Sequence, residues 1–429
     1  MSKILIYKNV IPNGEYDIFN MIDFRKFSDT VKTSYDYSCP NIGNRAWLQG
    51  IIVALNDGNN YIELLDPNMT SDYINANFDY VVLPMANIFY SGYISALNYL
   101  ADVFEKIKIP TYVIACGVQA SSYSRLNDVM EAIKEPATRF IRSIYATGGE
   151  FALRGYFTKE FFDKLGFKSA VVTGCPSLYQ LGEGLKILKD NDIKSIKPVL
   201  NGKMSIVEKY LSEEPSAIYI DQCDFFNLVF AVRDDNKYNS DKKYIKSLIK
   251  QYGFDLVKYA MDFKILFFTD ISLWRNYLID NEFNFSFGTR IHGNIISILS
   301  GIPALMCACD SRTREMAEFF SIPIIKPSEK KYPLEDLYDM TDYTSFNNKF
   351  KENYYRFEEF LISAGLVKQI GKYNMFFKQK TDSDYLSFVK SLLEPYRAEF
   401  ITMEKGLYLL DQGNKLKAIL KRILKNINR

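Results

Sequence analysis

Short apolar runs alternate with helical patterns along most of the chain, and this alternation constrains the fold more than any other feature of the sequence. The predicted strands of the first half are at residues 4–7, 61–65, 80–84, 111–116 and 169–173. Between them, helices are predicted at about residues 44–55, 88–107, 126–145 and 158–165. Strands that alternate with helices are typical of a doubly wound parallel sheet, so the first half is predicted to be an α/β domain.

The second half repeats this alternation after a segment of charged and small residues at 182–203, which is interpreted as an interdomain connection. Its predicted strands are at residues 217–220, 264–269, 284–287, 304–308 and 322–325, and its predicted helices at about 241–261, 291–300 and 313–320. The predicted domains are therefore an N-terminal one at 1–185, a second one at 200–332 and a polar helical extension at 333–429. We expect the two parallel sheets to face each other across a cleft.

The extension ends in a basic amphipathic pattern at residues 413–429. Leucine and isoleucine recur there at three- and four-residue spacing, and six lysines and arginines occur without one acidic residue. Such a helix can dock on an anionic membrane surface, or it can pack against its own chain or against a second subunit. The pattern leaves these alternatives open, and with them the oligomeric state.

Composition excludes several classes of protein. With 48% hydrophobic residues in 429, the chain can bury more than one core, and a net charge of +2 does not favour nucleic acid as a partner. The sequence contains no apolar stretch long enough to span a bilayer, and its N-terminus resembles a strand rather than a secretion signal. A cytoplasmic protein is predicted, located at the inner face of the membrane if the basic segment docks there.

The six cysteines form no CxxC pair, and the chain has one histidine, so we expect reduced thiols and no zinc site. That histidine, His292, lies in the segment Gly-Thr-Arg-Ile-His-Gly-Asn at 288–294, where a predicted strand gives way to a helix. The helix start offers backbone N–H groups, Gly288 and Gly293 allow a ligand to approach the backbone, and Arg290 can bind a carboxylate or a phosphate. A single histidine at such a turn is either a buried structural residue or a catalyst.

A second strand-to-helix turn follows within 30 residues. The strand predicted at 304–308 is followed by Asp310, Ser311 and Arg312, where another helix opens. Ligands bind at such strand ends in open α/β sheets, so Arg312 is a second candidate for binding an anion. Ser311 is predicted either to cap the helix near Thr313 or to contact a substrate.

Four segments together resemble the polysaccharide pyruvyltransferase family over roughly residues 35–330. Its C-terminal signature resembles residues 288–294, followed by Gly-Ile-Pro-Ala at 301–304 and Asp-Ser-Arg-Thr at 310–313. Three further segments resemble its Asn-x-Gly-Asp/Asn, Arg-Asp-x-x-Ser and Thr-Gly-Asp-Pro motifs: Asn-Ile-Gly-Asn at 41–44, Arg154 with Thr158, and Thr-Gly-Cys-Pro at 173–176. The chain departs from the family at Gly155 and Cys175, where the family usually has aspartate, which puts the role of the middle segment in doubt.

The resemblance implies a GT-B-like fold of two Rossmann-like domains, with phosphoenolpyruvate as donor and a pair of sugar hydroxyls as acceptor. The product would be a pyruvate ketal on a surface or capsular glycan. Arg290, Arg312 and Arg154 could then bind the carboxylate and phosphate of the donor, and His292 would be the acid/base catalyst. Arg154 could instead fix the domain interface, and Asn44 could line the acceptor cleft or cap a helix. The reaction requires no metal and no cofactor beyond the donor substrate.

Two other functions remain as alternatives. A glycosyltransferase of the same fold would bind the diphosphate of a nucleotide sugar at the same helix start. The chain could also be a non-catalytic, membrane-associated scaffold of a glycan assembly complex, because Gly155 and Cys175 replace acidic residues. The sequence does not identify the acceptor sugar, nor whether it is free, nucleotide-linked, lipid-linked or polymeric.

Overall fold

The computed structural model describes residues 2–7, 43–65, 69–222, 225, 249–268, 271–327 and 332–370. Contacts between residues divide the chain into two compact units. One comprises 1–231 and 262–378, and the other comprises 232–261 and 379–429. Both sheets and every side chain of the candidate site belong to the first unit.

The first sheet is parallel throughout. Its strands are β1 (Ser2–Ile6), β2 (Asn60–Leu64), β3 (Tyr80–Pro84), β4 (Asn87–Phe89), β5 (Thr111–Val118), β6 (Glu150–Leu153) and β7 (Val171–Val172). They lie in the order β2-β1-β3-β5-β6-β7, and β4 pairs with the carboxyl end of β5. Because β5 is buried along its whole length, it reads as a continuous apolar run in the sequence.

Helices connect these strands in the pattern expected for a doubly wound sheet. They are α1 (Gly43–Leu55), α2 (Ser71–Asn77), α3 (Ile94–Phe104), α4 (Leu126–Ala146) and α5 (Tyr156–Lys164), with 3₁₀ turns at Ser91–Tyr93, Tyr123–Arg125 and Pro176–Leu181. The helix predicted at 88–107 is wrong at its start, where β4 and a 3₁₀ turn occur. Phe89 is fully buried against Phe161 and Phe162 of α5, so tertiary packing overrides the local helical periodicity.

The second sheet is also parallel and has the Rossmann strand order. Its strands are β8 (Pro198–Asn201), β9 (Ile218–Asp221), β10 (Ile265–Phe267), β11 (Phe285–Gly288), β12 (Ala304–Cys307) and β13 (Ile324–Ile325), in the order β10-β9-β8-β11-β12-β13. β8 lies within the segment interpreted as a connection, and that interpretation is wrong for these four residues. They are buried and paired with both β9 and β11. The proposed domain boundaries stay a prediction.

The helices that follow include α6 (Met204–Glu213), α7 (Phe254–Met261), α8 (Ile271–Asp280), α9 (Ile291–Leu299), α10 (Ser311–Phe320), α11 (Leu334–Asp339) and α12 (Thr344–Ser363). α12 returns to the first half of the chain, where Phe357 stacks on Tyr179 and Phe360 meets Tyr112 edge to face. The predicted α/β fold with two doubly wound parallel sheets and a helical C-terminal part is confirmed. The basic segment at 413–429 lies outside the described residues. Among those that are described, no helix combines the length and the apolar character needed to cross a membrane.

Loops at the carboxyl ends of the two sheets contact each other directly. After β5, the backbone N–H of Ala120 donates to the Ser311 hydroxyl, and the Ser311 N–H donates to the Ala120 carbonyl. Further along, the Glu315 carboxylate of α10 accepts hydrogen bonds from Thr158 of α5. These contacts bring the strand ends of both sheets to one region of the first unit.

Candidate functional site

The topological switch point of the second sheet lies between β8 and β11, and the Gly-Thr-Arg-Ile-His-Gly-Asn segment begins there. From β8 the chain continues to β9 on one side, whereas β11 continues to β12 on the other. The crevice outside the carboxyl ends of such a pair of strands is the usual ligand site of an open α/β sheet. The sheet order therefore places this segment where a ligand is expected.

Asn201, the last residue of β8, fixes the loop that follows β11. Its carbonyl accepts the Thr289 N–H at 3.2 Å, and its side-chain Oδ1 accepts the Arg290 N–H at 3.0 Å. The Thr289 hydroxyl accepts the Lys203 N–H at 3.0 Å. The loops that follow β8 and β11 are thus held together across the switch point.

Asn294 holds the strand-to-helix turn from inside α9. Its side-chain Nδ2 donates to the carbonyls of Gly288 at 3.1 Å and Arg290 at 2.9 Å, and its Oδ1 accepts from the Ser286 hydroxyl at 3.1 Å. Asn294 is fully buried, so these bonds satisfy an amide that would otherwise be costly to bury. The asparagine of this segment therefore maintains the geometry of the turn.

The two glycines of the segment are required by protein packing. A Cβ at Gly293 would lie 2.7 Å from Asn201 Cγ and 2.7 Å from Gln222 Nε2, and one at Gly288 would lie 2.1 Å from the Asn201 carbonyl oxygen. Protein packing alone is thus sufficient to require glycine at both positions, and the approach of a ligand at Gly293 stays a prediction. Neighbouring side chains fill the space that its missing Cβ leaves.

His292 lies in the first turn of α9 and is 7% exposed. Its Nε2 is buried and has no hydrogen-bond partner among the described residues. Burial, and then the positive charge of Arg154, lower the pKa of His292 from its usual 6.5 to about 3. The imidazole is therefore neutral at pH 7 in the ligand-free protein.

Arg154 comes from the other sheet, at the end of β6, and is 2% exposed. Its Nη1 donates to Asn87 Oδ1 at 2.7 Å, whereas Nε and Nη2 are buried without a partner in the part of the chain that the structure describes. The charge of Arg154 interacts with the buried carboxyl of Glu315, but Nε and Nη2 still lack an acceptor among the described residues, and burying such groups costs roughly several kcal/mol unless a ligand supplies one. The pair of Arg154 and His292 is therefore a site that can hold an anion.

Arg290 is the residue that precedes α9, in extended conformation, and its side chain makes no capping hydrogen bond. The first-turn N–H groups of α9 are thus not capped by this side chain. Together with the positive end of the helix dipole, they favour a negatively charged ligand beside Arg290 and His292.

The second predicted turn is built differently from expectation. Asp310 caps α10 through the N–H groups of Arg312 and Thr313, so the prediction that Ser311 is the cap is wrong. Ser311 is the first residue of the helix and is 1% exposed, where it joins Ala120. An N-cap residue needs an extended backbone conformation, and Asp310 has this conformation.

The guanidinium of Arg312 is held by the same aspartate. Its Nε and Nη2 donate to Asp310 Oδ2 at 2.9 and 2.5 Å. Burial alone would raise the pKa of the Asp310 carboxyl, but the bonds with Arg312 and Thr313 hold that pKa below its usual value. The predicted anion-binding role of Arg312 therefore has to compete with this internal ion pair.

Asn44 is the second residue of α1, since the helix begins at Gly43. The alternative that Asn44 precedes and caps the helix is therefore wrong. Its side chain lies outside the described part of the structure, so its predicted place in the acceptor cleft stays a prediction.

A carboxylate from another helix occupies the place left by Gly155. Gly155 precedes α5 and makes no side-chain cap, and a Cβ at this position would lie 2.3 Å from Glu315 Cγ. Glu315 instead accepts from the Thr158 N–H at 2.6 Å and from the Thr158 hydroxyl at 3.0 Å. The start of α5, next to Arg154, is thus capped by Glu315 of α10.

Sequence reasoning missed four residues that shape this site: Asn87, Asn201, Gln222 and Glu315. Each is distant in sequence from the residue that it supports, so no local pattern identifies the contact. Only Asn201 has a local signal in the sequence, because a polar residue directly after the apolar run at 198–200 suggests the end of a strand. Within the described residues, no group of three histidine, cysteine or acidic side chains is arranged to hold a metal ion.

Comparisons with known proteins agree with the polysaccharide pyruvyltransferase resemblance. A family model described as polysaccharide pyruvyl transferase matches residues 18–311, more than half of the chain. In a comparison with curated proteins, none matches the chain significantly.

Three solved structures illustrate what the fold is similar to. They are a glycotransferase of kitacinnamycin (9% identity, 85% of this chain, 96% of that chain, TM-score 0.29), a UDP co-structure of MnaA from S. aureus (11%, 87%, 99%, 0.37), and the glycosyltransferase SnogD from Streptomyces nogalater (9%, 85%, 98%, 0.33). All three TM-scores lie below 0.5, so the fold assignment rests on the sheet topology of this chain.

Proposed function

The chain belongs to the polysaccharide pyruvyl transferase family, and on this premise we propose that it moves the enolpyruvyl group of phosphoenolpyruvate onto a pair of sugar hydroxyls. The product is a pyruvate ketal, formed during the synthesis of a surface or capsular polysaccharide. The observation that carries the proposal is the buried guanidinium of Arg154, whose Nε and Nη2 have no hydrogen-bond partner among the described residues and whose charge acts on the neutral His292.

Phosphoenolpyruvate has the charge that this site lacks. It carries a carboxylate and a phosphate a few ångströms apart, and both groups are recognised best by planar guanidinium forks and by helix N-termini. Arg154 approaches from the first sheet, and Arg290 with the start of α9 from the second. A donor bound between them would neutralise the Arg154 charge and satisfy its free N–H groups.

His292 supplies the proton chemistry in this proposal. The negative charge of the bound donor raises the pKa of the imidazole from its low value in the free protein, so that it can be protonated when substrate is present. It then gives a proton to the methylene carbon of the enolpyruvyl group while the first sugar hydroxyl adds to C2. The proton of that hydroxyl restores the imidazole.

Ketal formation is completed by the second hydroxyl. Its oxygen bonds to C2 as the bond between C2 and the phosphate oxygen breaks, and its proton leaves with the phosphate. Of the two hydroxyl protons, one is therefore equivalent to the proton taken up by carbon and the other departs on inorganic phosphate. In this proposal, Arg290 and the first-turn N–H groups of α9 stabilise the charge of the leaving group.

Thermal unfolding in the presence of phosphoenolpyruvate tests the donor assignment without knowledge of the acceptor. A ligand at 100 times its Kd stabilises the folded state by about 2.7 kcal/mol, which raises Tm. We expect this increase for the wild type and for Arg142→Met, an exposed control on α4. It should be absent for Arg154→Met and for Arg290→Ala.

The competing ligands in the same experiment are UDP, GDP and inorganic phosphate. A wild-type protein that responds to a nucleotide but not to phosphoenolpyruvate would be a nucleotide-sugar glycosyltransferase, for which the Rossmann switch point is an equally suitable site. The non-catalytic scaffold is tested separately, since phosphate release from phosphoenolpyruvate with a suitable acceptor would exclude it. Glu315, which fills the place of a side chain at Gly155, weakens one of the two reasons for that alternative.

The cellular setting is the remaining part of the proposal. A cytoplasmic enzyme that uses the basic segment at 413–429 to reach an anionic membrane would meet a lipid-linked acceptor there. Cosedimentation with anionic vesicles should therefore decrease when residues 413–429 are deleted, and an unchanged bound fraction would remove this part of the proposal. Assembly into a homo-oligomer stays a prediction.

A further inference from the structure

Two tyrosines form an exposed aromatic surface directly beyond the residue that holds Arg154. β4 begins at Asn87, whose side chain accepts the Arg154 hydrogen bond, and ends at Phe89. The chain then passes through the 3₁₀ turn, and the rings of Tyr90 and Tyr93 lie with their centroids 4.9 Å apart. Tyr93 is 41% exposed and Tyr90 is partly exposed.

The backbone holds this pair in a defined position. The Tyr90 N–H donates to the Ile88 carbonyl at 3.1 Å, and the Tyr93 N–H donates to the Tyr90 carbonyl at 3.0 Å. Gly92 lies so close to the Tyr90 ring that a Cβ there would be 2.4 Å from Cε2. Phe89, the residue before Tyr90, is fully buried and fixes the start of this turn to the core.

The pair also lies next to the second half of the site. The Phe89 carbonyl accepts the Gln119 N–H, and the following residue, Ala120, is hydrogen-bonded to Ser311 at the start of α10. Burial and Tyr93 raise the pKa of Tyr90, whereas the positive charge of Arg312 opposes that increase, so Arg312 interacts electrostatically with the tyrosine. The tyrosine pair is thus connected to both Arg154 and Arg312.

The two hydroxyls of the pair have no hydrogen-bond partner in the described part of the chain. Among the described residues, Tyr90 and Tyr93 contact each other through their rings and their hydroxyls make no hydrogen bond. Two aromatic faces with free hydroxyls suit a pyranose, because its weakly positive C–H groups pack on the negative face of a ring while its own hydroxyls reach polar atoms at the edge. A phosphate or a carboxylate could accept from the hydroxyls but would gain nothing from the ring faces.

We propose that Tyr90 and Tyr93 form the platform that binds the acceptor sugar, by stacking a pyranose ring so that its hydroxyl pair is directed to the donor held at Arg154. The inference rests on the proposed function, and it adds the acceptor class and its position. The preferred acceptor would then be a sugar with few polar substituents on one face of its ring, because that face must stack on the tyrosines.

Saturation-transfer NMR with simple glycosides tests the platform. The probes are the methyl glycosides of galactose, glucose, mannose and N-acetylglucosamine, each with and without phosphoenolpyruvate. At least one should receive saturation at ring C–H protons, and Tyr93→Ala and Tyr90→Ala should weaken its binding about tenfold. Tyr93→Phe should retain most of the binding, because the ring face is preserved.

Tyr73→Ala is the matched control. Tyr73 is 47% exposed and also has an aromatic neighbour, Phe78, but it belongs to α2, where Asn75 bonds to the loop at the amino end of β5. Its removal should leave glycoside binding unchanged. Loss of binding in this variant as large as in Tyr93→Ala would contradict the platform.

The donor experiment separates the two proposals. The Tyr93→Ala protein should still be stabilised by phosphoenolpyruvate, so a failure there points to the donor assignment or to misfolding rather than to the acceptor. The platform is overturned if none of the four glycosides gives a signal, or if a glycoside binds the alanine variants as well as it binds the wild type.

Discussion

At the scale of single residues, the site contains buried side chains whose nitrogen atoms have no partner among the described residues, above all Arg154 and His292. Proteins normally pair or neutralise such groups, and the residues that retain a perturbed pKa inside a crevice are often functional. The imidazole responds by staying neutral, whereas a guanidinium does not lose its charge. In the proposed function, Arg154 therefore binds the anionic donor, and the protonation of His292 depends on whether that donor is bound.

His292→Gln should reduce turnover at pH 7 by about 10² to 10⁴-fold, the usual range for loss of a general acid–base group. Glutamine keeps a polar side chain of similar size, so binding of phosphoenolpyruvate should change less than turnover. Phosphate release in the steady state measures the former effect, and thermal stabilisation measures the latter. Normal turnover of the variant at pH 7 would exclude His292 as the catalyst.

The same substitution changes how stability depends on pH. The pKa of His292 is about 3 in the folded protein and 6.5 is its usual value, so the unfolded chain binds a proton below pH 6.5 that the folded protein does not. The free energy of unfolding therefore falls as pH falls from about 6.5 towards 3. Between pH 7.5 and 5, this decrease should be about 2 kcal/mol larger for the wild type than for His292→Gln in urea unfolding.

At the scale of elements, α5 begins next to Arg154 without a capping side chain of its own, and α10 supplies one. The Glu315 carboxylate that caps it is 2% exposed. Burial raises its pKa from the usual 4.5 to about 7, although the bonds from Thr158 oppose the increase. The helix start next to Arg154 is thus fixed by a carboxylate from the half of the chain that contains His292.

Glu315→Gln should remove a pH-dependent contribution to stability. A carboxyl with a raised pKa stabilises the folded protein fully below about pH 4.5, and this stabilisation is lost as pH rises through about 7. As pH rises from 5 to 8, the free energy of unfolding of the wild type should therefore decrease relative to that of Glu315→Gln. Chemical denaturation across this range measures the shift.

Glu208→Gln is the control for that experiment, because Glu208 is exposed on α6. Its substitution should leave the pH profile unchanged. If Glu315→Gln also follows the wild-type profile, the buried carboxylate does not titrate in this range.

At the scale of the whole molecule, both sheets belong to one compact unit, and the loops at their carboxyl ends are joined by direct hydrogen bonds. Ser311 is the main example, since it exchanges two bonds with Ala120 from the other sheet. The proposed donor site would depend on this junction, because Arg154 follows a strand of the first sheet and His292 follows a strand of the second. Contacts that join the sheets therefore position the chemistry as well as stabilise the fold.

Ser311→Ala should destabilise the protein by about 1–3 kcal/mol, because the buried Ala120 N–H loses its acceptor. Ser212→Ala is a suitable control, since the Ser212 hydroxyl is exposed and bonds within α6. Urea unfolding measures both. A Ser311 variant as stable as the control would show that water or another group replaces the lost acceptor.

The sequence alone determined the alternation of strands and helices, the two parallel sheets and the importance of the segment at 288–294. These features are local, because hydrophobic periodicity and turn residues act within a few positions of the chain. The same locality explains the errors. β4 and β8 are three and four residues long, and each is a strand because of its neighbours in the sheet rather than its own pattern.

Only the tertiary structure decided which side chains meet. The pairing of Arg154 with Asn87, the capping of α5 by Glu315 and the effect of Arg154 on His292 all join residues far apart in the chain. It also showed that Asp310 rather than Ser311 caps α10, and that contacts with Asn201 and Gln222 leave no room for a Cβ at the glycines. Charge, burial and hydrogen bonding depend on distance in space, and a sequence specifies that distance only through the folded chain.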